Sequence, residues 1–205
     1  DEAGNILPEH SNEWLYLNLT WRWHTDSSFR KIPSKGSILH GIEVLEQGGE
    51  TLFANLQAAY AHLDEQMKST IEHLSVVHSH DYILSLSSEL SRRKEQGEYT
   101  HLPPVTHPLV RVHPVTGRKS LYCSPRFTIA IKGDGLSKEH AETLLDELIA
   151  HSLKKPFRYR HTWEDKDVVM WDNRCVNHRA TGGYVYPDIR HLYRTTVEGE
   201  APVAA

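Results

Sequence analysis

The apolar residues of this chain come in short bursts that end at turn signals, and that pattern limits the fold more than any other feature. Ser37–Glu46 (SILHGIEVLE) is strand-like and closes at Gly48-Gly49, and Thr51–Ala54 is short and extended. Leu109–His113 and Lys119–Cys123 flank a Thr116-Gly117 turn, the signature of a hairpin. Phe157–Trp163, Val168–Trp171 and Ile189–Val197 read as further strands separated by polar turns. The run WLYLNLTWRW from Trp14 to Trp23 alternates with large side chains and also reads as a strand, preceded by a polar loop over 1–13. Helical signals are fewer. Asn55 can cap a helix through about Leu63, and a second helical stretch runs from Glu65 to Leu74. Ser137 starts the clearest helix, with Ala141, Leu144, Leu145, Leu148 and Ile149 at helical spacing and Glu139 in the first turn. The polar stretch Leu84–Pro104 reads as a flexible excursion, either a solvated loop or a lid. The expected fold is mainly β with peripheral helices: an antiparallel core of the jelly-roll or related double-sheet kind.

Composition narrows the function. The chain has 205 residues, 39% hydrophobic and 24% charged, a length at which one core is stable without staples. With 23 basic against 27 acidic residues the net charge is −4, so a nucleic-acid partner is not expected. No apolar run reaches the length of a membrane span, so no membrane partner is expected either. Two cysteines are too few for a disulfide framework, which suits a reducing compartment and predicts a cytoplasmic location. Histidine is the outlier, at 15 residues.

One histidine stands out. His24-Thr25-Asp26 follows a strand-like segment, and residues i and i+2 of an extended chain point to one face, so an imidazole and a carboxylate converge. That is two thirds of a 2-His-1-carboxylate metal triad. Among 15 histidines, however, an H-x-D pair arises easily by chance. A third ligand has to come from elsewhere. His178, in VVMWDNRCVNHR, is a candidate, and spacing alone leaves His161 and His113 as rivals. In the run Arg190-His-Leu-Tyr-Arg194 two guanidiniums four residues apart share a strand face, about 13 Å apart at ~3.3 Å per residue. They lie either in solvent on an edge strand or inward as two anion sites. The GGET turn lacks phosphate-cradling spacing, and there is no G-x-S-x-G nucleophile elbow.

Taken together and in order, WHTDSSF, GGETLF, VVMWDNRCVNHR and IRHLYRTT resemble the taurine/2,4-dichlorophenoxyacetate dioxygenase family, Fe(II) oxygenases that use 2-oxoglutarate. The likeness runs from about Trp21 to Gly199 and is nearest the aryloxyacetate branch, through HTDSSF, PLVRVH and RYRHTW. The resemblance implies a double-stranded β-helix (jelly roll) with His24, Asp26 and His178 as iron ligands. It implies that Thr51 and Arg190 hold the distal carboxylate of 2-oxoglutarate, and that Arg194 holds the anionic group of the primary substrate. The implied cofactors are Fe(II), with 2-oxoglutarate as cosubstrate, and O2. The implied reaction hydroxylates a small anionic organic substrate while 2-oxoglutarate becomes succinate and CO2. An aryloxyalkanoate-like carboxylate comes first as substrate, and a taurine-like sulfonate or an alkyl sulfate is the alternative.

Two other classes compete with this reading. A catalytically inactive jelly-roll binding protein would keep the scaffold without turnover, although the intact triad and both arginines speak against it. A zinc hydrolase with the same ligands lacks a general base beside the triad. Residues 1–205 are expected to form a single oxygenase domain. Relatives of the family begin well upstream of the first iron ligand, so the expectation includes a missing N-terminal section. A homo-oligomer is compatible with the resemblance, though no segment of the sequence marks an interface.

Overall fold

The computed structural model describes residues 5–9, 11–185 and 187–205. In chain order, α1 (Asn12–Asn18) runs into a 3-10 turn at Leu19–Trp21, and β1 (Gly36–Glu43) and β2 (Thr51–Asn55) follow. Then come α2 (Leu56–Ala61), α3 (Glu65–Ile71), β3 (Ser75–His78), α4 (His80–Ser85) and α5 (Ser88–Glu95). Four strands follow: β4 (Val105–Pro108), β5 (Val110–Val112), β6 (Lys119–Leu121) and β7 (Thr128–Lys132). The chain ends with α6 (Lys138–Ser152), β8 (Arg158–His161), β9 (Val168–Asp172), β10 (Val176–Ala180), β11 (His191–Val197) and β12 (Val203–Ala204).

Among the described residues all strand pairs are antiparallel, in four three-stranded sheets ordered β11-β1-β9, β10-β2-β8, β12-β5-β6 and β4-β3-β7. The first two sheets matter most here. On β1, Ser37 and Leu39 share a face, opposite Trp171 and Val169 of β9 and opposite Thr196 and Arg194 of β11. On β2, Thr51 and Phe53 share a face with Ala180 and His178 of β10. The rings of Phe53 and Trp171 meet at 5.4 Å, and those of Trp171 and His178 at 4.6 Å, so these two faces look at each other. The opposite face of β9 presents Met170 to solvent, as a pleated strand requires.

The expected helix starts are real. Asn55 Oδ1 accepts from the Ala58 amide at 2.9 Å, and Ser137 Oγ accepts from His140 N–H at 3.2 Å. Helix α6 buries Ala141 and Leu148 against a core that includes Leu56, Ile71, Leu109, Leu121 and Ile131. A fully buried leucine such as Leu148 contributes about 1.5–3 kcal/mol.

Two expectations need correction. Trp14–Trp23 is not a strand: its first part is α1, capped by Ser11 Oγ accepting from the Trp14 amide at 3.1 Å. The alternating large residues fit either period. The cap, with Glu13 in the first turn, tips this stretch to helix, and Leu19 is buried against Ile83, Leu84, Leu90 and Phe127. Of the polar loop expected over 1–13, residues 1–4 and 10 lie outside the described residues. The excursion over 84–104 is helical in its first half, where α4 ends and α5 runs, because Ser79 and Ser87 cap these helices while Leu84 and Leu90 anchor them in the core. Apart from the Leu86-Ser87 junction between the two helices, the stretch 96–104 is the part with neither helix nor strand. Helices are therefore more numerous than the periodicity predicts, although strands still supply the faces around the site.

Candidate functional site

An isolated antiparallel bridge joins residues far apart in sequence. The His24 amide donates to the His178 carbonyl at 2.9 Å, and the His178 amide donates back at 2.7 Å. Thr25 points the other way and ties the segment to β10, its hydroxyl donating to Asn177 Oδ1 at 2.7 Å. Asp26 then falls on the same side as His24. Immediately after it, Ser27 takes a positive φ of 57°, a left-handed turn that costs a non-glycine residue about 1–2 kcal/mol.

The three side chains converge. His24 Nδ1 donates to the Arg22 carbonyl at 2.8 Å, which leaves the Nε2 lone pair free, 3.6 Å from Asp26 Oδ1. His178 Nε2 lies 3.7 Å from Asp26 Oδ2. One ligand atom from each residue lies within 4.8 Å of the others, and all three residues are buried. The separations of 3.6 and 3.7 Å are too long for hydrogen bonds, so three donors face a common point without bonding one another. Burial, helped by the positive charge of Arg126, holds His24 below its ordinary pKa. Burial likewise lowers His178 to about 3. Burial would raise Asp26, but the neighbouring imidazoles and the Ser37 hydroxyl outweigh it and keep the carboxyl well below the usual carboxylate range. Two neutral imidazoles and one carboxylate are the donor set that a divalent first-row metal takes, so the residues fit such an ion.

A relay orients the carboxylate. Ser37 Oγ donates to Asp26 Oδ2 at 2.6 Å, Asn173 Nδ2 donates to Ser37 Oγ at 2.9 Å, and Trp171 Nε1 donates to Asn173 Oδ1 at 2.9 Å. Sequence reasoning missed Ser37 and Asn173. The motif VVMWDNRCVNHR already held Trp171 and Asn173, but nothing local marks Ser37.

The remaining expected residues are placed as follows. Arg194 faces inward by the register of β11 on β1, and its Nη1 reaches Asp26 Oδ1 at 3.4 Å while the side chain stays 58% exposed. Arg190 stands just before β11, with its Nε donating to the Gly49 carbonyl at 2.9 Å, and burial lowers its pKa. That contact needs glycine at position 49: φ is +68° and a Cβ would come within 3.0 Å of Arg190 Cδ. Thr51, two residues on, accepts a hydrogen bond from Trp163 Nε1 at 3.0 Å, which leaves its own hydroxyl proton free to donate. The rivals for the third position are elsewhere. His161 bonds Asp167 Oδ2 at 3.1 Å, and His113 donates from Nε2 to Asp172 Oδ2 at 2.9 Å while its Nδ1 accepts from the Val115 and Thr116 amides.

Two facing antiparallel sheets with a buried two-histidine, one-carboxylate cluster between them define a class: a strand scaffold with a three-point metal-type donor set inside. The chain belongs to the TauD/TfdA family. The model of that family, described as taurine catabolism dioxygenase TauD, TfdA family, matches residues 4–196. A (S)-phenoxypropionate/alpha-ketoglutarate-dioxygenase of Sphingobium herbicidovorans is 40% identical over 185 residues, covering 87% of this chain and 63% of that protein. An alpha-ketoglutarate-dependent sulfonate dioxygenase of Saccharomyces cerevisiae is 35% identical over 188 residues, covering 88% of this chain and 43% of that protein. Among solved structures, a crystal structure of AAD-2 in complex with Mn(II) and N-oxalylglycine has a TM-score of 0.78 at 38% identity, covering 93% of this chain and 73% of that one. The chain thus spans less than two thirds of the length of these curated relatives. Among the described residues, no helix is long and apolar enough to cross a membrane.

Proposed function

We propose that this chain forms the active site of an Fe(II)- and 2-oxoglutarate-dependent dioxygenase that hydroxylates a small anionic organic substrate. The observation that carries the proposal is the convergence of His24, Asp26 and His178, with the His24 Nε2 lone pair left free by its Nδ1 bond. Family membership supports it, and relatives named for phenoxypropionate and for sulfonate support a small organic anion as substrate. An aryloxyalkanoate-like carboxylate is the first choice, and a sulfonate or alkyl sulfate the alternative. The facing sheets are read as the two halves of a double-stranded β-helix, within a single oxygenase domain over 1–205.

In this reading His24, Asp26 and His178 hold Fe(II), which when bound with O2 supplies the oxidising chemistry that turns 2-oxoglutarate into succinate and CO2 and a substrate C–H into C–OH. The chain's own residues do the positioning. Ser37 fixes the rotamer of Asp26, and Arg22 fixes the tautomer of His24. Arg190 presents a planar guanidinium to the distal carboxylate of 2-oxoglutarate, and Thr51 donates its free hydroxyl proton to the same group. Arg194, half in solvent beside Asp26, meets the anionic group of the primary substrate. Trp171 and Phe53 pack on His178 and shield it from water.

The test is an anaerobic titration of the metal-free protein with Fe(II) and 2-oxoglutarate, followed through the weak visible charge-transfer band of the chelate. A band that Asp26→Ala abolishes, followed by succinate release in a screen of small carboxylates and sulfonates, is the expected result. A folded protein that gives no band refutes the reading and leaves a binding protein without turnover.

A further inference from the structure

Among the described residues, Arg111 and Arg126 are fully buried charges that the site leaves without a task, and Arg126 is the one next in sequence to a ring packed on His24. Arg126, in the turn between β6 and β7, is only 2% exposed, and its amide donates to the Trp23 carbonyl, beside His24, at 3.2 Å. Its guanidinium lies 5.1 Å over the ring of Phe127 and 5.3 Å over that of Tyr16. Both Nε and Nη2 are buried and have no acceptor. Buried donors are almost always paired, and an unpaired buried charge is costly, so such a group calls for a ligand.

The surroundings indicate what that ligand is. The positive charge of Arg126 helps to lower the pKa of both His24 and His178, and among the described residues Asp26 is the carboxylate that acts back on it. Asp26 is already shared among His24, His178, Ser37 and Arg194. Arg194 Nη1 stands 3.4 Å from Asp26, and the ring under the Arg126 guanidinium, Phe127, packs edge-on to His24, so both arginines border the triad, whose carboxylate leaves Arg126 Nε and Nη2 without an acceptor. The wall around them is aromatic: Phe29 packs 5.0 Å from Phe127, which stands edge-on to His24 at 6.1 Å.

We propose that Arg126 is a specificity-determining residue, whose unpaired Nε and Nη2, together with Arg194, clamp the oxyanion of the primary substrate beside the triad. This rests on the reading of the site as a substrate-hydroxylating centre. Arg194 takes the anion at the exposed rim and Arg126 takes it at depth, with Tyr16, Phe29 and Phe127 facing the organic body. The shared ligand chemistry is an organic oxyanion, a carboxylate or a sulfonate.

Calorimetric titrations of the Mn(II)-loaded protein under anaerobic conditions test the clamp. The probes are phenoxyacetate, butane-1-sulfonate, uncharged phenoxyacetamide and 2-oxoglutarate. Charge-assisted hydrogen bonds of this kind correspond to roughly 10–100-fold in affinity. Arg126→Met is therefore expected to weaken the anion that the wild-type protein binds by at least about tenfold. Phenoxyacetamide and 2-oxoglutarate should bind as before, and the melting temperature should hold or rise, because an unpaired buried charge has been removed. Arg126→Lys, which keeps the charge but not the fork, should fall between the two and carries the comparison if the methionine variant does not fold. Equal weakening of phenoxyacetamide, unchanged anion affinity, or a wild-type protein that binds neither anion overturns the assignment. A wild-type protein that binds an anion but not 2-oxoglutarate refutes the dioxygenase reading instead, and the Arg126 comparison still decides the clamp.

Discussion

Ser37→Ala tests whether the relay behind Asp26 sets metal affinity. The substitution removes the 2.6 Å bond to the carboxylate and strands Asn173 Nδ2, whose acceptor is the same hydroxyl. A hydrogen bond to a charged partner contributes about 1.5–3 kcal/mol, and a stranded buried donor costs about 1–3 kcal/mol. The two losses share one atom and do not add fully, so the expected destabilisation is about 2–4 kcal/mol. For a chain of this length that is a drop of roughly 5–15 °C in Tm. Residues that orient metal ligands typically change metal affinity by about 10–100-fold, and Mn(II) binding measured by calorimetry should weaken by that factor. Asn173→Ala acts only through Ser37 and should weaken binding less. If Ser37→Ala lowered Tm but left Mn(II) affinity within about twofold of wild type, the relay would be packing alone and the reasoning would fail.

The two arginines of the β11 segment should separate. Arg190→Ala is expected to raise the 2-oxoglutarate requirement by roughly 10–100-fold, and Arg194→Ala to act mainly on the primary substrate, as read by steady-state succinate release. Effects of both on 2-oxoglutarate alone would undo that division of roles. His161→Ala and His113→Ala should leave Mn(II) affinity unchanged, because both rings are bonded to aspartates away from the triad. A loss of binding in either would reopen the ligand set. His78 donates to the Tyr122 carbonyl and accepts from Ser28, and burial lowers its pKa to about 3. Between about pH 6.5 and 3 the unfolded chain takes up a proton at this site that the folded chain refuses, so stability falls as pH falls, by up to about 1.4 kcal/mol per unit. Urea unfolding across that window should show a shallower slope for His78→Gln, and an unchanged slope would remove His78 as the cause.

The sequence by itself determined what depends on near neighbours. The short extended bursts between turns marked β1, β2, β9 and β11, the Thr116-Gly117 turn marked the β5–β6 hairpin, and Ser137 and Asn55 marked helix starts through their own side chains. The i, i+2 spacing put His24 and Asp26 on one side, and the positive φ at Gly48 and Gly49 agrees with the turn read from that dipeptide. The ordered motifs pointed to the family, which the model match over 4–196 shows. Where two local patterns competed, as in Trp14–Trp23, the cap at Ser11 and the burial of Leu19 decided for helix.

Tertiary structure alone decided the long-range contacts. His178 joins His24 because a two-way backbone bridge forms across more than 150 residues of chain, and His113 and His161 are left out because aspartates already hold them. Arg194 reaches Asp26 from the solvent-exposed rim because strand register puts it on the face shared by Ser37 and Trp171. Ser37 and Arg126 carry no local mark at all. Each is defined by what it lies against: a carboxylate for Ser37, and for Arg126 two aromatic rings and no acceptor at Nε or Nη2. Hydrophobic period and capping act over a few residues and can be read along the chain, whereas the pairing of distant strands is settled only when the sheets pack face to face.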